Sequence, residues 1–78
     1  MYKVIKKSDA TGIENEGEFD NREAAELRLI DVLAYTISNF DDYEADDIDA
    51  VMDQGYENYG CGVVYIEEDG ITPTGANV

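Results

Sequence analysis

No lysine, arginine or histidine follows Arg28. The last fifty residues therefore carry twelve acidic side chains and no basic one, a net charge of −12. Residues 1–28 hold all five basic groups (Lys3, Lys6, Lys7, Arg22 and Arg28) against seven acids, a net of −2. The two halves account for the −14 of the whole chain. Self-repulsion at this charge works against any compact state. The same field repels nucleic acid and anionic membrane and attracts a basic protein surface.

Seventy-eight residues make one domain at most. A chain this short buries only about 60–65% of the surface it exposes when unfolded, so its stability margin is thin. The apolar fraction of 44% is near the globular norm and argues for a folded chain in spite of the charge. The single cysteine, Cys61, has no partner for an internal disulfide and no histidine to activate it. It reads as an ordinary semi-buried thiol in a reducing compartment. No segment reaches the ~20 apolar residues of a membrane span. The first residues lack the apolar stretch of a signal peptide. The expected setting is bacterial cytoplasm, with no membrane contact.

Tyr2 to Lys7 is rich in β-formers and predicts a strand. Residues 8–18 read as a loop with a short second strand around Ile13 to Glu18. Asp20 with Glu23 forms a capping-box signature, and Phe19 stands where a hydrophobic staple would. Ala25, Leu29, Val32, Leu33, Ile37 and Phe40 then recur at three and four, widened by Leu27, Ile30 and Ala34. That spacing predicts a helix over 21–40. Ala45, Ile48 and Met52 predict a short second helix over 46–54, stopped by Gly55. Residues 56–60 read as a turn and 62–66 as a strand. Glu68-Asp69-Gly70 reads as a turn before a short return strand at Ile71-Thr72. The predicted class is α+β: a small antiparallel sheet packed on one long helix, with a second, short acidic helix. The domain spans 1–72, with a loose tail over 73–78.

The acidic segment holds the most pointed pattern. Asp41 to Glu57 contains eight acids in seventeen residues. Asp42, Asp46, Asp49, Asp53 and Glu57 are spaced four, three, four and four. On one continuous helix they would form a single row, repeating about every 5.4 Å. Like charges at this spacing cost a helix a few tenths of a kcal/mol per pair, so folding alone does not select them. Duplex DNA carries one charge per ~1.7 Å of axis. A row flanked by Asp41, Glu44 and Asp47 approaches that kind of density. Tyr43, Tyr56 and Tyr59 are interleaved with the acids, and tyrosine stacks on arginine. The candidate partner-binding set is Asp42, Tyr43, Glu44, Asp46, Asp47, Asp49, Asp53, Tyr56, Glu57 and Tyr59. The bland reading of the same residues is a solvated face that serves solubility.

Other chemistry fits less well. Asp42, Glu44, Asp46 and Asp53 fall at positions 1, 3, 5 and 12 of an EF-hand-like register, but Asp47 replaces the glycine at position 6 and position 12 lacks the bidentate Glu. No metal or cofactor is expected. There is no histidine, no Gly-rich phosphate loop and no activated serine, so no enzyme is expected. Lys3, Lys6 and Lys7 are too few for direct nucleic-acid binding.

The small size, the −12 half and the carboxylate row resemble the acidic DNA-mimic inhibitors of phage and mobile elements, of the anti-CRISPR and anti-restriction kinds. The resemblance covers residues 41–69 and lies in mode of action, since such inhibitors have diverse folds. It implies a non-enzymatic inhibitor that occupies the nucleic-acid groove of a CRISPR effector or restriction enzyme. The alternative is a small acidic adaptor or antitoxin-like partner, or a homodimer, that binds through apolar residues beside the long helix.

Screening weakens self-repulsion, so added salt should stabilise the fold. The melting temperature is expected to rise between low and moderate salt in a calorimetric or circular-dichroism scan; a fall would contradict this.

Overall fold

The computed structural model describes residues 1–76. The chain runs β1 (Tyr2–Ser8), β2 (Gly12–Phe19), α1 (Arg22–Thr36), a 3₁₀ turn (Phe40–Asp42), α2 (Ala45–Gln54), β3 (Tyr56–Tyr59) and β4 (Gly62–Glu68). The strands form one antiparallel sheet in the order β2-β1-β4-β3. Two hairpins, one from each end of the chain, thus meet through β1 and β4. The class is α+β.

Alternation along the two central strands creates two apolar faces. Val4, Val64 and Ile66 point to one side, where they pack with Ala25, Leu29, Val32 and Leu33 of α1 and with Phe40 and Val51. Ile5, Val63 and Tyr65 point to the other, where Tyr56 and Ala76 pack beside them. On that second face Asn58 Nδ2 donates to the Gly75 carbonyl at 3.1 Å. Residues 73–76 of the expected tail are therefore placed against the sheet; residues 77 and 78 lie outside the described residues.

Several boundaries differ from expectation for physical reasons. α1 ends at Thr36, not at residue 40. Thr36, Ile37, Ser38 and Asn39 are β-branched or compete for backbone hydrogen bonds, so the helix loses its propensity there. Phe40 still reaches the same core, from the 3₁₀ turn. The cap is Asn21 rather than Asp20: its Oδ1 accepts from the Ala24 amide at 2.8 Å. Of the widening residues, Leu27 and Ala34 face solvent. Residues 56–59 form a strand and not a turn, because β4 offers a register that Tyr56, Glu57, Asn58 and Tyr59 all fill. Asp69 and Gly70 both take positive φ, as a tight hairpin turn requires, but the return consists of one bridge, Glu68 to Ile71.

Both arginines of α1 act as braces. β2 carries a bulge where Val4 faces Gly17 and Ile5 faces Asn15, which leaves Glu16 as the extra residue. Arg28 Nε donates to the Glu16 carbonyl at 2.8 Å, and Tyr35 donates to its carboxylate at 3.0 Å. Arg22 reaches the other way. Its Nη2 donates to the carbonyls of Met52 at 3.0 Å and Asp53 at 3.2 Å, at the end of α2. The last turn of α2 has no basic residue of its own. Arg22 thus supplies a cation to the negative end of that helix and satisfies carbonyls that the helix leaves open. Gly55 makes room for it. The glycine closes α2 at φ +83°, and a Cβ there would sit 3.0 Å from Arg22 Nη2.

Replacing Arg22 with leucine should cost about 2 kcal/mol of stability, the scale of hydrogen bonds from a charged donor. Lysine should recover only part of it, because one ammonium cannot reproduce the fork. Urea melts of both variants check this; an unchanged midpoint for the leucine variant would contradict it.

Candidate protein-interaction surface

The acidic segment leaves α1 at the 3₁₀ turn and re-enters the sheet at β3. Inside it, α2 turns Ile48, Val51 and Met52 toward the protein, and Val51 is buried. Its first turn is fastened locally: the Glu44 amide donates to Asp47 Oδ2 at 3.0 Å. Asp46, Asp49 and Asp53 share the face opposite that apolar side, at three and four residues apart. Asp41, Asp42, Glu44, Asp46, Asp47, Asp49 and Asp53 are all exposed. Among the described residues, none of these seven takes part in an ion pair, whereas Glu16, Glu18, Glu26 and Asp69 do.

The expected five-carboxylate helical row is corrected to three. α2 covers only Ala45–Gln54, so Asp42 belongs to the 3₁₀ turn and Glu57 to β3. Tyr43 and Glu44 are extended at the junction, which breaks the helical continuity the spacing assumed. Asp46, Asp49 and Asp53 remain a row about 10 Å long, at ~1.5 Å rise per residue.

The three tyrosines separate as well. Tyr43 sits beside the acids, stacked on Phe40 with ring centroids 4.8 Å apart. Tyr56 lies across the sheet, with Ile5, Val63 and Tyr65. Tyr59 packs against the main core, and its hydroxyl is buried without a hydrogen-bond partner among the described residues. Burial pushes that hydroxyl's pKa up. Of the ten residues singled out by sequence, the structure thus gathers Tyr43, Asp47 and Glu57 at one spot. Asp42, Glu44, Asp46, Asp49 and Asp53 lie on the exposed segment around it, and Tyr56 and Tyr59 are spent on packing.

That spot is a recess of about 340 Å³ between α2 and β3, lined by Tyr43, Asp47, Ala50, Val51, Gln54 and Glu57. The Tyr43 hydroxyl donates to Glu57 Oε2 at 2.5 Å. This bond to a carboxylate, together with partial burial and the nearby charges of Glu57 and Asp47, pushes the Tyr43 pKa up to about 12. Gln54 Nε2 donates to the Tyr56 carbonyl at 2.8 Å. Ala50 and Gln54 were not marked by the sequence. Their only signal is helical position, since both lie on the flank of α2 that carries Asp47.

Among the described residues no three His, Cys, Asp or Glu side chains converge as metal ligands, and no helix is long and apolar enough to cross a membrane. The chain matches no protein-family model, no curated protein and no solved structure.

Tyr43→Phe should lower stability by about 1 kcal/mol at neutral pH, as expected for one partly exposed bond to a charged acceptor. The raised pKa fixes the sign. The neutral phenol is favoured in the folded state, so its contribution is complete below the unfolded value of about 10. It is lost as pH climbs from there through about 12. Denaturant melts of the two proteins should therefore converge over that alkaline window; a gap that stays constant would contradict the assignment.

Proposed function

We propose that this protein is a non-enzymatic inhibitor that presents a nucleic-acid-like charge to the binding groove of a host defence nuclease complex, of CRISPR-effector or restriction type. One observation carries the reading: the carboxylates from Asp41 to Asp53 are exposed, clustered on one segment and without any cationic partner among the described residues. A carboxylate that a fold uses internally is paired or hydrogen-bonded. Glu44 and Asp47 also fasten the first turn of α2, and Asp41, Asp42, Asp46, Asp49 and Asp53 have no hydrogen-bond or ion-pair partner among the described residues. A basic groove shaped for phosphates is the surface whose counterion release such a cluster can exploit.

Asp46, Asp49 and Asp53 stand in for backbone phosphates, and Asp41, Asp42 and Glu44 extend the charge toward the 3₁₀ turn. β1, β2 and α1 hold four of the five basic side chains in contacts among themselves or with α2, and so act as the scaffold. An adaptor reading keeps one observation of its own, the 62% exposure of Leu27 on the outer side of α1. Its binding would depend little on salt.

Asp46→Lys with Asp49→Lys should weaken binding to the target complex by several kcal/mol, since like charges facing one another across an interface are costly. The test is titration against purified, nucleic-acid-free effector complexes and restriction enzymes over a salt series. The parent protein should compete with DNA and lose affinity as salt rises. Full binding by the double variant would remove this row from the interface, and salt-independent binding would favour Leu27.

A further inference from the structure

The recess between α2 and β3 differs from the rest of the acidic segment, because it has walls. We infer that it is a socket for one arginine side chain of the partner, an inference that rests on the acidic surface being a protein-binding face. The reasoning is an inventory of donors and acceptors. The Tyr43 hydroxyl gives its only proton to Glu57 Oε2, so it offers none to a visitor. Asp47 and Glu57 bring carboxylates, which accept only. One oxygen of each is already held, Asp47 Oδ2 by the Glu44 amide and Glu57 Oε2 by Tyr43. Among the described residues, Asp47 Oδ1 and Glu57 Oε1 accept no hydrogen bond. The fixed oxygens hold both carboxylates in place, and the other two can accept from a donor.

The remaining lining sets the shape of the guest. Val51 is buried and Ala50 is small, so one wall is apolar and low. Tyr43 contributes an aromatic ring held by Phe40. A guanidinium matches this set: it is planar, only donates, stacks on aromatic faces and carries an apolar stem. At about 340 Å³ the recess lies at the small end of ligand pockets, which suits a side chain better than a cofactor. A second hollow, of about 420 Å³, is lined by Arg22 as well as Glu68 and lacks this one-sided chemistry.

The test is an amide NMR titration at low salt with two blocked, otherwise uncharged peptides, one bearing a single arginine and one a single lysine. The arginine peptide should bind roughly threefold tighter or more, the scale of the ring and fork contacts that lysine makes less well. Its shifts should centre on Tyr43, Ala50, Gln54 and Glu57. Ala50→Leu fills the recess without changing charge, at a site exposed to solvent on α2. It should remove the arginine preference and leave lysine binding as it was. Equal affinities, with shifts spread along Asp46, Asp49 and Asp53, would overturn the socket while leaving the acidic surface standing. An arginine preference that survives Ala50→Leu would also overturn it. No binding of either peptide would overturn the socket, while the salt-series titration against whole complexes decides the acidic surface.

Discussion

Nineteen carboxylates share five basic side chains, and the placement of those five decides how the rest of the structure is held. Three of them serve the N-terminal half. Lys3 pairs with Glu18 across β1 and β2, Lys6 lies over the Tyr35 ring, and Arg28 pins the Glu16 bulge. Arg22 alone reaches into the segment that has no cation of its own, at the carbonyl end of α2. Without it α2 would present a negative helix end, exposed carboxylates and only a narrow apolar side. The surface ion pairs themselves contribute little in water. The Arg22 contact is different, because it satisfies backbone carbonyls and joins two elements thirty residues apart.

This economy shapes local stability. The sheet centre is apolar on both faces, and α1 covers one of them with four buried side chains. α2 buries one, Val51, with Ile48 and Met52 partly covered. An element with few buried contacts and repelling charges opens at lower free energy than the core. Glu44 capping, Arg22 and the Tyr43–Glu57 bond are what fasten the acidic segment to the sheet. All three are polar, and two of them lie at the ends of α2. Charge on the exposed face is therefore set against fixings that do not compete with it for apolar packing.

Periodicity made the core of α1 readable: Ala25, Leu29, Val32 and Leu33 were expected on one face and are buried. The strand at 62–66 and the stop at Gly55 followed from equally local signals. The errors arose where local preference is overruled from a distance. Tyr56 to Tyr59 look like turn residues until β4 pairs with them, and Phe40 keeps helical spacing although the helix has ended. The same limit governs the site. Spacing alone strung Asp42 to Glu57 into one row, but a break at Tyr43-Glu44 and a strand at Glu57 divide it. The recess was invisible for the same reason, because Tyr43 and Glu57 are fourteen residues apart and meet only when β3 docks.

The division of the carboxylates is the strongest argument about their purpose. Acid that served solubility alone would work anywhere on the surface. Here the ion pairs lie outside the acidic segment, although Asp9, Asp20, Glu23 and Asp31 are exposed without one as well among the described residues. Glu16, Glu18, Glu26 and Asp69 have cations, and Glu57 has a phenol. Among the described residues those from Asp41 to Asp53 have no cation and stand exposed, and Asp46, Asp49 and Asp53 repel along α2 at a cost to its own stability. A fold that repels itself most strongly where it is least anchored gains from any partner that brings positive charge to that place. Positive charge brought to that place would relieve the repulsion that the free protein carries.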